Sequence, residues 1–416
     1  MEIYKFGGVS IKDAEGVRRI AKIVQDTEFT KGIIVISAMG KMTNAFEELI
    51  AAYLNKDSHL AELLKEIENY HYQIAKSLFK EFTHPVFSKI RGNFEQIRAF
   101  IQQNKSDDYN FVYDQMVSVA ELVSSKIVSA YFNQINLANT WLDVRNCIRT
   151  NSQYREALVD WEYTKKRIQK LIDNNQLYIT QGFIAQGVDG ATTTLGREGS
   201  DYTGAVFAYC LNARSQTIWK DVDGVLNADP RKFKNSVLLN RISYEEAIEM
   251  AFYGASVIHP KTIQPLQQKS IPLKVKSFRN PKNEGTTICK GIPISPDIPC
   301  FILKEKQILL SLSSLDFAFI VERNISYIFG LLHRYKIKVN LIQNSAISFL
   351  ICLEDKYHNF DFLIRQLDTH FNISYEKDLR LYTIRHFSDE AVKKIEALGK
   401  VLFKQSSTKT VQLVIR

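Results

Sequence analysis

Glu2-Ile-Tyr-Lys-Phe-Gly-Gly-Val-Ser10 and, one helix later, Gly32-Ile-Ile-Val-Ile-Ser37 decide the fold of this chain. Glu2 to Phe6 reads as a strand that ends in a Gly-Gly turn. Behind it, Ser10 with Asp13 three residues on reads as a capping box. Ala14, Val17, Ile20, Ala21 and Val24 then recur at helical spacing. The run from Gly32 is continuously apolar, as in a strand buried on both faces of a parallel sheet. Strand, helix, strand is the opening of an α/β fold.

Outward from there, Thr43 to Gln134 is mostly helical, broken at Pro85 and at the polar stretch 104–110. Short strands are expected at Trp141–Val144 and Leu177–Thr180, around a helix beginning near Asp160. A Gly- and Thr-rich loop spans Gly187–Ser200, followed by a helix to Leu211 and a strand at Thr217–Trp219. Helices at Ser243–Phe252 and Thr262–Gln268 and a strand at Pro272–Lys276 complete the first part. Pro281, Pro293, Pro296 and Pro299 with Gly285 and Gly291 mark a boundary. Beyond it a βαββ rhythm runs twice: strand Gln307–Ser313, helix Val321–Tyr335, strands Val339–Ile342 and Ile347–Cys352, helix Phe360–Phe371, then strands near 373–375 and 379–384. A helix at Asp389–Leu398 and a strand at Val411–Ile415 close the pattern.

A length of 416 residues predicts two to three domains. With 45% hydrophobic and 24% charged residues, the chain is neither disordered nor fibrous nor a disulfide-stapled miniature. The longest apolar runs are strand-sized, and MEIYKF opens without a basic-then-apolar leader, so a cytoplasmic protein away from membranes is expected. Lys+Arg 54 against Asp+Glu 45 gives 54 − 45 = +9, without any basic run of five. A solvated lysine-rich surface accounts for that excess better than nucleic acid does. Cys147, Cys210, Cys289, Cys300 and Cys352 show no CxxC spacing and read as buried or idle thiols. No metal cage is encoded.

Three segments carry chemistry. Lys5-Phe-Gly-Gly-Val-Ser10 sets a lysine at a strand end, glycines that let backbone N–H groups approach phosphate, and a helix start that favours anions. On local sequence alone it is equally a tight βα turn with an exposed lysine. Thr192-Thr-Thr-Leu-Gly-Arg-Glu-Gly-Ser-Asp201 gathers hydroxyls, glycines, Arg197 and Asp201 before a helix. Arg197 suits a carboxylate-bearing substrate. Asp201 reads as an N-cap, or as a partner for Lys5 or a substrate ammonium. Lys220-Asp-Val-Asp-Gly-Val-Leu-Asn-Ala-Asp-Pro-Arg231 follows a strand, where α/β sheets bind ligands. Its aspartates lack the closing glutamate of a calcium loop. Glu121, on a helix, passes for an ordinary solvated carboxylate, and His259 before Pro260 for a helix-entry residue.

KFGGVS resembles the KFGGTS signature of aspartate kinases, members of the amino acid kinase family. The resemblance continues through Ser37-Ala-Met-Gly-Lys-Met-Thr-Asn44, Ser118-Val-Ala-Glu-Leu122, Thr180-Gln-Gly-Phe183, residues 194–201, Trp219 to Arg231 and Phe252 to Lys261. It implies a three-layer amino acid kinase (carbamate kinase-like) fold over 1–285, a linker and first regulatory strand at 286–305, and a C-terminal α+β pair of ACT (ferredoxin-like) units. The first spans 306–386 and a shortened second one 387–416. The implied reaction moves the γ-phosphoryl group of ATP to the β-carboxylate of L-aspartate. By the same resemblance Lys5, Arg197 and Asp201 are catalytic. Ser37, Thr43, Glu121, Arg197, Gly199, Ser200 and Asp201 hold aspartate, with Glu121 on its ammonium and Arg197 on its α-carboxylate. Lys5, Gly7, Gly8, Ser10, Lys220, Asp221, Leu226, Arg231 and Ser256 hold ATP, and Mg²⁺ rides mainly on the ATP phosphates. A homodimer through the ACT units is implied, without nucleic acid or membrane.

The chain departs from that pattern at several positions. Glu198 replaces a glycine beside the anion site and must point outward or be paired. Ser256 stands where several aspartate kinases carry a nucleotide-contacting lysine, and Leu226 replaces a frequent tyrosine near the adenosine. Asn340 and Ala346 replace an aspartate and a glutamate of lysine-sensitive relatives, which argues against tight lysine binding. Sister amino-acid or nucleotide kinases fit the set Thr43, Glu121 and Arg197 less well. Intact Lys5, Arg197 and Asp201 count against a silent amino-acid sensor.

Overall fold

The opening forms as expected: β1 (Glu2–Phe6), α1 (Ala14–Asp26) and β2 (Gly32–Ile36), with β1 and β2 parallel from Glu2–Gly32 to Phe6–Ile36. Every residue of β2 is buried, as its unbroken apolar run requires. The cap differs from the expected box. Gly8–Ile11 winds into a separate 3-10 turn, and Asp13 caps α1 by accepting from the Gly16 N–H at 2.7 Å. Ser10 lies inside the turn, too early to reach the helix.

This computed structural model describes residues 1–255, 258–315 and 318–416. It divides into one unit made of Met1–Val225, Leu238–Ile248 and Val257–Pro296, and a second made of Leu226–Val237, Glu249–Ser256 and Asp297–Arg416. The long helical stretch resolves into α2 (Met42–Leu54), α3 (Leu60–Leu78), α4 (Pro85–Gln103) and α5 (Tyr109–Gln134). Pro85 starts a helix at its first turn, where its missing N–H costs nothing. The break between α2 and α3 carries no proline and was not anticipated.

There follow β3 (Thr140–Leu142), β4 (Arg149–Thr150), α6 (Trp161–Leu171), β5 (Leu177–Gln181), β6 (Ile184–Gly187), β7 (Thr192–Thr194), α7 (Gly199–Leu211) and β8 (Ser215–Lys220). Next come β9 (Arg241–Ser243), α8 (Tyr244–Tyr253), α9 (Pro260–Gln268), β10 (Leu273–Ser277) and β11 (Thr286–Cys289). Part of the expected 187–200 loop is therefore a strand. Thr192–Thr194 are β-branched, buried and antiparallel to β6.

Among the described residues the main sheet runs β3-β5-β2-β1-β8-β10-β11-β9. Its first six strands are mutually parallel, and β11 turns antiparallel to β10. β1 lies between β2 and β8, so the chain reverses its direction of strand addition beside it. Ligands of open α/β sheets bind at the carboxyl ends of strands at such a point.

The second unit holds β12 (Cys300–Ser314), α10 (Glu322–Arg334), β13 (Lys338–Asn344), β14 (Ser348–Glu354), α11 (Phe360–Leu367), β15 (Phe371–Arg385), α12 (Asp389–Glu396), β16 (Val401–Ser406) and β17 (Thr410–Ile415). The order β13-β14-β12-β15 with α10 and α11 is ferredoxin-like, as in an ACT fold. The two strands expected near 373–384 are one strand, β15, paired along both halves of β12 across an irregularity at Lys304–Leu309. The far half of β15 pairs with β17, and β17 pairs with β16, so the second half-sheet is built onto a strand of the first. Asn340, on β13, accepts from Lys304 Nζ at 2.8 Å and donates to Gln307 Oε1 at 2.7 Å, while Ala346 is exposed. Burial pushes the Cys147, Cys210 and Cys352 thiols up to about 12. No helix of the described residues is long and apolar enough to cross a membrane.

Candidate active site

β1 delivers Lys5, and the Gly-Gly turn behind it closes tightly on the end of β2. A side chain at Gly8 would meet the Ala38 carbonyl oxygen at 2.6 Å and that of Gly40 at 2.8 Å, so only glycine fits. The Gly40 N–H donates to the Gly8 carbonyl at 3.0 Å. Beside Gly7, the Lys5 ammonium sits 3.4 Å from where a Cβ would be, leaving an open cradle of backbone under a positive charge. Ser10 is fully buried and its hydroxyl donates to the Gly7 carbonyl at 2.5 Å, so here it serves the turn.

Asp201, in the first turn of α7, is 2% exposed. Its Oδ1 lies 2.7 Å from Lys5 Nζ and its Oδ2 3.5 Å from Lys220 Nζ at the end of β8. Burial alone would raise this carboxyl's pKa, but the two ammonium groups outweigh it and hold the group below the ordinary carboxylate range. Asp201 is thus the hub of a cation pair, beyond an N-cap.

Glu121 is different. It lies on α5, a helix buried on nearly every side, and is 3% exposed. Among the described residues its Oε2 has no hydrogen-bond partner. Burial drives its pKa up to about 8, against the opposing pull of the Ala38 N–H and the Lys5 charge. A buried polar atom left unpaired costs about 1–3 kcal/mol, and that cost is recovered when a donor arrives.

Of the other residues expected to hold aspartate, Ser37 and Thr43 are half-buried, Gly199 and Ser200 buried, and Arg197 exposed with no ion pair among the described residues. Asp221 is exposed, 3.9 Å from Arg279. Leu226 and Arg231 belong to the second unit, where Arg231 pairs with Asp229 at 2.7 Å. Ser256 lies outside the described residues.

Glu198 is paired, as its charge demands. It takes the left-handed conformation (φ 52°), and its Oε2 accepts from the His259 N–H at 3.0 Å. His259 caps α9, its ring nitrogen accepting from the Lys261 N–H at 3.2 Å, which makes it the expected helix-entry residue. Lys261 Nζ in turn donates to the Leu195 carbonyl at 2.9 Å. Sequence reasoning missed Asp114 and Gln115, which hold β7 from α5. Asp114 lies seven residues before Glu121 on a face that also carries Val117 and Ser118, and no local pattern singles it out.

A family model described as the amino acid kinase family matches residues 1–277. The chain is 32% identical over 383 residues to a bifunctional aspartokinase/homoserine dehydrogenase of Buchnera aphidicola, covering 86% of this chain and 45% of that protein. It is also 32% identical over 359 residues to lysine-sensitive aspartokinase 3 of Escherichia coli, covering 85% and 78%. This chain therefore spans about half the length of the bifunctional relative. Solved structures of E. coli aspartokinase III superpose over 100% of this chain and 96% of theirs. The complex with lysine and aspartate gives a TM-score of 0.83 at 28% identity, and that with aspartate and ADP gives 0.80 at 27%.

Proposed function

The chain belongs to the amino acid kinase family, and from that premise we propose that it is an aspartate kinase. It phosphorylates the β-carboxylate of L-aspartate with ATP, giving 4-phospho-L-aspartate and ADP, the first step towards lysine by way of diaminopimelate, and towards threonine and methionine. The observation that carries this is the contrast of two unlike carboxylates, one neutralised between Lys5 and Lys220 and one, Glu121, with an oxygen that no donor among the described residues meets. The aspartokinases among its relatives, and the E. coli aspartokinase III structure in complex with aspartate and ADP, support the same reading.

A β-carboxylate oxygen forms the new bond to the γ-phosphorus, the bond from that phosphorus to the bridging oxygen breaks, and ADP leaves with the electron pair. No proton has to move. The difficulty is bringing two anions together, so catalysis rests on position and on charge placed in advance. Lys5, locked by Asp201, meets the charge that develops on the transferring group. Gly7 and Gly8 give the phosphates backbone N–H groups, and Lys220 adds a second cation. Mg²⁺, held mainly by ATP phosphates and water, supplies further charge neutralisation when bound. Glu121 takes the substrate ammonium, and Arg197 takes the α-carboxylate by a bidentate pair. Ser37, Thr43, Gly199 and Ser200 line the same pocket, while Asp221, Leu226, Arg231 and Ser256 serve the nucleotide. The catalytic region is 1–285 and the regulatory units follow at 306–386 and 387–416. They form a homodimer of a cytoplasmic enzyme.

The test is ATP- and Mg²⁺-dependent acyl phosphate formation trapped with hydroxylamine. L-aspartate is run beside L-glutamate, N-acetylglutamate and UMP, with lysine or threonine in parallel aspartate reactions. Hydroxamate from aspartate alone is expected. Lysine should leave the rate unchanged, because Asn340 spends its amide on Lys304 and Gln307. Absence of turnover with aspartate, or equal turnover with another acceptor, overturns the reading.

A further inference from the structure

Among the described residues β7 has one strand neighbour, β6, and on its other edge the Thr194 carbonyl accepts from the Ala157 N–H at 3.0 Å. The remaining polar groups of Thr192 and Thr194 along that edge are met by side chains of α5. Gln115 Nε2 donates to the Thr192 carbonyl at 2.8 Å, and Gln115 Oε1 accepts from the Thr192 N–H at 3.2 Å. One turn of the ladder further, Asp114 Oδ2 accepts from the Thr194 N–H at 2.8 Å and its Oδ1 from the Thr194 hydroxyl at 2.7 Å. The same Oδ2 accepts from the Arg155 N–H at 2.9 Å, and Arg155 is held in the left-handed region at φ 69°. Asp114 is fully buried. A carboxylate in that position is expensive unless donors surround it, and three do.

What Asp114 joins gives it a role. Its own helix carries Glu121 two turns on, on the same face. The strand end it grips leads within three residues to Arg197 and within seven to Asp201. We propose that Asp114 is a positioning residue that fixes the distance between the ammonium end and the α-carboxylate end of the amino-acid pocket. It does so by tying the helix of Glu121 to the strand that feeds the loop of Arg197. The inference rests on the aspartate kinase reading for its substrate, and on geometry alone for the tie. Burial raises the Asp114 pKa to about 6, and the Arg155 N–H and the Thr194 hydroxyl and N–H oppose that rise by donating to the ionised carboxylate. A fixed spacing matters because a substrate gripped at both ends loses binding at one when the other shifts by a fraction of an ångström.

The experiment compares Asp114→Ala, Asp114→Asn and Thr194→Val in the full chain. Asp114→Ala removes all three acceptors and should raise the KM for aspartate by roughly 10–100-fold, leaving the KM for ATP within about two-fold. Asp114→Asn keeps an oxygen for the two N–H groups and offers its amide to the Thr194 hydroxyl, so it should recover most of the aspartate affinity. Thr194→Val, which loses one bond and no charge, covers the case in which the alanine variant does not fold, and should raise the aspartate KM by about 3–10-fold. Hydrogen–deuterium exchange provides a readout independent of turnover. Amides of Arg155 and of Thr194 through Ser200 should exchange faster in Asp114→Ala or Thr194→Val than in the parent chain. Equal rises in both KM values, no rescue by asparagine, or unchanged exchange in these segments overturns the proposal. Absence of aspartate turnover in the parent chain counts against the kinase reading instead, and exchange still decides the tie.

Discussion

Two buried carboxylates of the first unit, Asp201 and Glu121, both feel the charge of Lys5 and are treated in opposite ways. Asp201 is neutralised in advance by Lys5 and Lys220, which hold its pKa down despite burial. Glu121 has one backbone donor, an oxygen with no partner among the described residues and a pKa raised to about 8. One charge is spent inside the protein to lock a catalytic cation, and the other is kept in reserve for a cation that arrives with the substrate. Removing a partner of the first breaks the site, whereas removing the second removes an affinity.

The largest effect should come from Lys5→Ala. It deletes the transition-state contact and leaves Asp201 with Lys220 alone, and kcat should fall by roughly 10²–10³ in steady-state assays. An unchanged kcat with only a higher KM would place Lys5 outside the chemistry. Glu121→Gln should act on binding, raising the KM for aspartate by about 10–100-fold with a smaller change in kcat.

The two carboxylates also predict opposite pH behaviour. Asp201, with its pKa lowered, stabilises the fold above the unfolded value of 3.8, and this is lost as pH falls through its folded pKa. Glu121, raised from 4.5 to about 8, keeps a proton in the folded state that the unfolded chain has already released. Stability therefore falls as pH rises through that window. Thermal melts of Glu121→Gln should escape this fall, giving a higher Tm than the parent at pH 8.5 by at least about 1 kcal/mol equivalent, a gap that closes near pH 4.5. A constant gap across that range would show that Glu121 does not titrate as described. The smallest effect belongs to Glu198→Gly. Relief of the left-handed backbone and loss of the bond to His259 oppose each other, so denaturant midpoints should move by less than about 1 kcal/mol.

These two carboxylates also mark how far the sequence can be read. Strands β1 and β2 and helix α1 were legible because their apolar spacing has only one physical solution, and Lys5 and Asp201 because glycine turns point at them. The Thr192–Thr194 strand was hidden inside a loop-like composition, since its ladder on one edge is made mostly by side chains of a helix 77 and 80 residues away. Long strands β12 and β15 looked like separate pieces because the irregularity at Lys304–Leu309 interrupts their alternation. Glu121 read as a solvated carboxylate because burial on all sides comes from packing that no local pattern encodes. Asp114 was passed over for the same reason. The pairing of Glu198 with the His259 N–H is tertiary in the same sense, although the need for a partner followed from its charge.

The reserve-charge claim is tested most directly by calorimetry of aspartate binding at pH 7 in buffers of different ionisation enthalpy. If Glu121 holds a proton in the free protein and gives it up to meet the ammonium, binding should release close to one proton per aspartate in the parent chain and almost none in Glu121→Gln. Equal proton release by the two chains would contradict it.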